Sequence, residues 1–188
     1  MNAFRRLFAR QGQADDDSLT DGPGSSALAI KRKRAAIGGE LSAHVYWYAE
    51  REFIVTSIMS VPGSVILEVG EPSVLPFDVA DEDLGRAICE HLLRHDARQP
   101  PNLRDRKSTE WPVFRASRDR SVSGFKAKSL LASIETVDLV LSIEAAPLTS
   151  PHAELSMKAL AQPIHAELGA VVRRALKAAD VVRKAGIL

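Results

Sequence analysis

Residue types that carry acid–base, nucleophilic or metal chemistry are few and scattered in this chain. Five histidines, His44, His91, His95, His152 and His165, and one cysteine, Cys89, occur in 188 residues. His91 and His95 are four apart in a stretch of helical periodicity, a spacing that sets two imidazoles on one helical face as a metal pair requires. A metalloprotease helix also carries a general-base Glu between its histidines, and Leu92-Leu93-Arg94 supplies none. The pair is therefore expected as hydrophilic residues near a helix C-terminus, favourable with its dipole. His44, His152 and His165 are each of a type that acts as a general base. No nucleophile elbow, phosphate loop or dinucleotide fingerprint accompanies them. A single cysteine excludes an intramolecular disulfide and a multi-cysteine metal site, and Cys89 is expected to be an inert, buried thiol. No catalytic, metal-binding or cofactor-binding residue is assigned, and no cofactor is expected.

Charge is the stronger signal. Net charge is +1, yet residues 1–34 carry +3, residues 35–95 carry −7 and residues 96–188 carry +5. Glu68, Glu71, Asp78, Asp81, Glu82 and Asp83 fall within sixteen residues. On charge alone they form a candidate surface for a basic protein partner, since complementary fields raise on-rates and reject wrong partners. The segment from Arg98 to Lys128 holds nine Lys/Arg with Trp111, Phe114 and Phe125 interleaved. That composition suits phosphate contacts and base stacking. A solvated loop beside core aromatics explains it as well, and the acidic front half weighs against nucleic acid. No run reaches the ~20 apolar residues of a membrane span, and the N-terminus has no secretory pattern. The chain is expected to be cytoplasmic, with no membrane partner.

The elements that would position these groups follow from periodicity. Leu84, Ile88 and Leu92 recur at four-residue steps, as do Leu168, Val172 and Leu176. Each set marks one face of an amphipathic helix, the first capped by Asp81 and ending near His95, the second running to about Lys184. Both carry an acidic residue before a Leu-Gly pair, Leu84-Gly85 and Leu168-Gly169. Close helix-to-sheet packing is expected at these glycines, which otherwise cost roughly 1 kcal/mol of helix propensity each. His44–Ser60 is rich in aromatic and β-branched residues and reads as two strands broken at Glu50-Arg51-Glu52. Ser64–Val69 reads as a third strand after the Pro62-Gly63 turn, followed by an irregular acidic linker to Asp78. Residues 96–109 read as a loop, Glu110–Ser117 as an edge strand or extended connector, and Phe125–Ala132 as one or two helical turns. Ile134–Ala145 alternates like a strand, and Ala159–Ile164 reads as an edge strand. The expected fold is α+β: a single, mostly antiparallel β-sheet with two principal amphipathic helices packed on one side. Residues 1–34 are expected to be a disordered, basic N-terminal tail, and residues 35–188 a single domain. Within the tail, residues 11–28 are too polar to offset ordering entropy.

Taken in order, several short stretches resemble a bacterial family. They are the tyrosine-rich strand pair, Asp81-x-x-Leu84-Gly85, Trp111-Pro112-Val113-Phe114-Arg115, Ser123-Gly124-Phe125-Lys126, paired strands, and Glu167-Leu168-Gly169. Over roughly residues 40–180 the chain is similar to the immunity proteins of contact-dependent growth inhibition systems. Trp111, Lys126 and the two Leu-Gly pairs carry most of the likeness; the polar N-terminal tail has no counterpart in it. The resemblance implies a non-catalytic cytoplasmic protein. Its partner would be the C-terminal toxin domain of a cognate effector, often a nuclease, bound so that the active site or substrate groove is blocked. It transfers no toxin-contact residue, so the six acidic positions remain a charge argument. A small hydrolase or transferase, or a nucleic-acid-binding module using residues 98–128, are the alternatives the residues leave open.

Overall fold

Alternation in Ala43-His44-Val45-Tyr46-Trp47-Tyr48 sends successive side chains to opposite faces of a strand, and both faces of this strand are covered. In the computed structural model the described residues are 25–61, 65–96, 110–138, 140–149 and 155–187. In chain order the elements are α1 (Ser25–Ile37), β1 (Ser42–Tyr48), β2 (Glu52–Val61), β3 (Val65–Pro76), α2 (Asp81–Leu93), α3 (Pro112–Ser117), α4 (Val122–Lys128), β4 (Ser129–Val137), β5 (Val140–Pro147), β6 (Met157–Ala161) and α5 (His165–Lys184). The strands form one six-stranded sheet in the order β3-β2-β1-β4-β5-β6. Every pairing is antiparallel. The fold is the expected α+β arrangement, with β1 and β4 at the centre and β3 and β6 at the edges.

The principal core lies on the face that carries Ala43, Val45 and Trp47, beneath α2 and α5. Leu84, Ile88, Leu92, Leu168, Val172 and Leu176, the residues of the two periodic stripes, are all fully buried there. The opposite face carries Tyr46, Tyr48 and Ile54, packed with Val113 of α3 and Phe125 of α4. Helices therefore cover both faces, not one. Residues 110–117 were expected to be extended because Pro112 disfavours a central strand. Proline instead occupies the first helical turn of α3, where its missing N–H is no loss.

Three further expectations change at their boundaries. The linker after Val69 continues as β3 to Pro76. A register shift between Val55 and Ser57 accommodates Gly70, which has φ +76°. Ile134–Ala145 is not one strand but the β4–β5 hairpin, closed at Val137 and Val140 beside Asp138, with φ 53°. The residue before α2 is Ala80, with no side-chain cap. Asp81, Glu82 and Asp83 instead fill the first turn, where the helix dipole favours them. β6 is an edge strand as expected, shifted to Met157–Ala161.

Residues 25–34, expected in the tail, belong to α1, and Ile30 joins the principal core. Ser26 Oγ lies 2.7 Å from His165 Nε2, which ties α1 to the start of α5. The rest of the tail, the Pro62-Gly63 turn, the 97–109 part of the loop and His152 lie outside the described residues.

The Leu-Gly echo has one geometric cause. A Cβ on Gly85 would sit 1.9 Å from the His165 carbonyl oxygen, and one on Gly169 would sit 1.9 Å from the Asp81 carbonyl oxygen. Each glycine faces the first residue of the other helix, so α2 and α5 cross backbone to backbone at their first turns. The contact expected against the sheet is between helices. Arg173 locks the crossing: its Nε donates to Asp81 Oδ1 at 2.7 Å, and its NH1 and NH2 donate to the Phe77 and Val79 carbonyls.

Candidate functional site

The densest polar cluster sits on the second face of the sheet. Register places Glu68 of β3 opposite Ile58 of β2, pointing to the face that His44 and Tyr46 of β1 share. Its carboxylate accepts hydrogen bonds from His44 Nδ1 at 2.9 Å, from the Tyr46 hydroxyl and from Trp111 Nε1. Tyr46, Trp111 and Phe125 pack around it with ring centroids 5.1–6.0 Å apart. Burial, followed by the Glu68 charge, raises the Tyr46 pKa well above its ordinary value. The phenol is held as a donor.

A second carboxylate closes the far end of this layer. Asp119 Oδ2 accepts from the Tyr48 hydroxyl at 2.7 Å and from Lys128 Nζ at 2.9 Å. Lys128 first, and then Tyr48, hold the Asp119 carboxyl well below the usual range. Burial and the bond to Asp119 push Tyr48 up to about 12. The Ser121 hydroxyl accepts from the Gly124 N–H at 3.0 Å and so caps α4. Glu68 and Asp119 thus fix α3 and α4 to the sheet through side chains at both ends.

His91, on α2, and His95, just beyond the helix end at Leu93, are both buried, not surface groups. His91 lies between Ser57 Oγ, 2.7 Å from Nδ1, and Ser73 Oγ, 2.9 Å from Nε2. A serine against an imidazole is the start of a nucleophilic site. His91 and Ser57 are 0% and 3% exposed, however, and the pair faces the interior rather than solvent. Burial pushes His91 down to about 4. His95 Nδ1 accepts from the Ser42 N–H at 3.0 Å and is also lowered by burial. Among the described residues, no three metal-binding side chains converge. Cys89 is buried, and burial pushes its thiol up to about 12.

The six acidic candidates divide. Glu68 is internal. Asp81 pairs with Arg173 at 2.7 Å, while Arg86 lies 3.5 Å from Glu82 and 3.8 Å from Asp83. Glu71, Asp78, Glu82 and Asp83 are exposed. Of these four, Glu71 lines a groove of ≈ 570 Å³ between β3 and α3. The described part of the basic segment presents Arg115, Arg118, Arg120, Lys126 and Lys128, all exposed, on the outer side of α3 and α4. Sequence reasoning missed the Glu68 cluster and the Ser57–His91–Ser73 chain. Each joins residues far apart in sequence, and nothing local signals such a meeting.

No protein-family profile and no curated protein matches the sequence. Among solved structures, a protein of unknown function from Neisseria meningitidis matches with a TM-score of 0.49 at 14% identity, over 74% of this chain and 93% of the other. A CdiA-CT/CdiI toxin and immunity complex from Yersinia pseudotuberculosis matches with a TM-score of 0.49 at 16% identity, over 73% of this chain and 96% of that one. At that similarity neither carries an argument about what this chain does.

Proposed function

We propose that the chain is an immunity protein. It binds the C-terminal toxin domain of a cognate contact-dependent growth inhibition effector in the bacterial cytoplasm, and neutralises it by stoichiometric binding without catalysis. The toxin is a nuclease in this reading. The observation that carries the proposal is where the resembling stretches fall. Tyr46, Trp111 and Phe125, from three separate stretches, close around the Glu68 carboxylate. The two Leu-Gly pairs meet at one helix crossing. Apart from the exposed Lys126, the shared residues thus hold the frame, and the exposed charged faces are left to recognise a partner. The weight rests on this agreement, not on the solved structures at a TM-score of 0.49.

Co-expression tests it. Cells producing the toxin domain encoded immediately upstream survive when this chain is present, and the two proteins co-purify. Absence of a complex at micromolar concentrations refutes the proposal. The exposed cations of α3 and α4 favour a second reading, nucleic-acid binding. It predicts steeply salt-dependent binding of duplex DNA or RNA.

A further inference from the structure

The groove between β3 and α3 has the make-up of a contact site. On its α3 side stand Arg115 and Arg118, and it is also lined by Glu71, Glu110 and Val74. All four charged residues are exposed, and none has an ion-pair partner among the described residues. Val74 is 46% exposed, an apolar spot inside a charged rim. The α3 wall is fixed from beneath: Trp111 donates to Glu68, and Val113 is fully buried. Arg118 ends the helix with φ 56°, the left-handed position that glycine usually fills. Its guanidinium therefore leaves a backbone that is set in place. A wall whose backbone is already packed adds no loop-ordering cost on binding, and only the side chains have rotamer freedom to lose.

We propose that this groove is where the partner docks, and that its occupant is a polypeptide segment carrying carboxylate and cationic side chains together. The inference rests on the immunity reading and names the surface within it. Guanidiniums give strong, directional bonds to carboxylates, and arginine is enriched among the residues that dominate protein interfaces. Glu71 and Glu110 in the same groove decide between macromolecules. They repel a polyanion and attract a partner that also offers cations, so uniformly charged partners are rejected. The acidic face of α2 lacks this character, because Arg86 and Arg94 already lie against its carboxylates.

The experiment is a set of charge reversals in the full chain, titrated against the purified toxin domain encoded immediately upstream. A fluorescein-labelled 30-base-pair DNA duplex is titrated in parallel. Unfolding curves establish that each variant folds. Arg115→Glu with Arg118→Glu is expected to weaken toxin binding by at least about tenfold. Glu71→Lys with Glu110→Lys is also expected to weaken it. Glu82→Lys with Asp83→Lys is expected to leave it within about threefold, as for a charge outside the contact. Three results overturn the inference while leaving the immunity reading standing: toxin binding unchanged in the arginine variant, tighter in the groove-glutamate variant, or lost only in the α2 variant. Duplex binding that strengthens with Glu71→Lys and Glu110→Lys assigns the groove to nucleic acid and also overturns it. If the unaltered chain fails to bind the toxin domain, both readings fall.

Discussion

Gly85→Ala reverses the usual effect of that substitution. In an ordinary helix interior it would stabilise by about 1 kcal/mol, because alanine loses less backbone entropy on ordering. Here the added Cβ would lie 1.9 Å from the His165 carbonyl oxygen and 2.6 Å from its carbon, against a practical limit of 3.0 Å. Both sides of the clash are backbone, so no side chain can swing aside. α2 and α5 must separate by about 1 Å, which loosens the seam of Leu84, Ile88, Leu168 and Val172. Overpacking of this kind costs roughly 1–3 kcal/mol. A backbone clash belongs at the upper end, and after the propensity gain the net loss is about 2 kcal/mol. For a chain of this size that is a fall in Tm of about 4–8 °C. Gly169→Ala meets the Asp81 carbonyl at the same 1.9 Å and should behave alike. One separation relieves both clashes and is incurred once, so the double variant should lose about 3 kcal/mol less than the sum of the singles. Urea unfolding followed by far-ultraviolet circular dichroism reads all three. Stabilisation by Gly85→Ala, or strict additivity in the double variant, would refute the crossing.

Removing the carboxylate in Glu68→Ala strips the Tyr46 hydroxyl, Trp111 Nε1 and His44 of an acceptor. The expected loss is roughly 2–5 kcal/mol, and a loss below about 1 kcal/mol in urea unfolding contradicts the cluster's role. His91 is neutral in the fold, its pKa lowered to about 4 from 6.5. Its contribution is fully present above pH 6.5 and is lost as pH falls towards 4, because the unfolded chain binds the extra proton first. That makes roughly 3 kcal/mol, and His91→Gln should flatten stability across the same window; an unchanged profile rules the histidine out. Ala49 and Glu50 both have positive φ between β1 and β2. Glu50→Gly should therefore stabilise by about 1 kcal/mol despite the loss of its exposed ion pair with Lys184. Destabilisation in the same assay would show that the pair matters more than the backbone strain.

Local periodicity carried what it could. Leu84, Ile88 and Leu92 placed α2, Leu168, Val172 and Leu176 placed α5, and the alternation through Tyr46 and Tyr48 placed β1. α3 was hidden because Pro112 reads equally as an edge-strand residue and as the first residue of a helix. Only packing of Val113 and Phe125 on the tyrosine face decides between them. The acidic run looked like one surface because its members are close in sequence. Period-two geometry sends Glu68 inward, and Asp81 is drawn to Arg173, 92 residues away. The histidine four-step was legible as spacing but not as burial, since Ser57 and Ser73 reach His91 from the sheet. The groove charges were visible as residues. Their lack of ion-pair partners among the described residues is a property of the folded surface and has no sequence signature.

Whether the proposed immunity protein binds and silences a toxin is read by a single titration. The purified chain is mixed with the toxin domain encoded immediately upstream, and calorimetry reads stoichiometry and affinity while the nuclease activity proposed for that domain is followed in parallel. A one-to-one complex is expected, with a Kd well below micromolar and activity that falls to zero at the equivalence point. No heat and undiminished activity at micromolar concentrations of both proteins would contradict it.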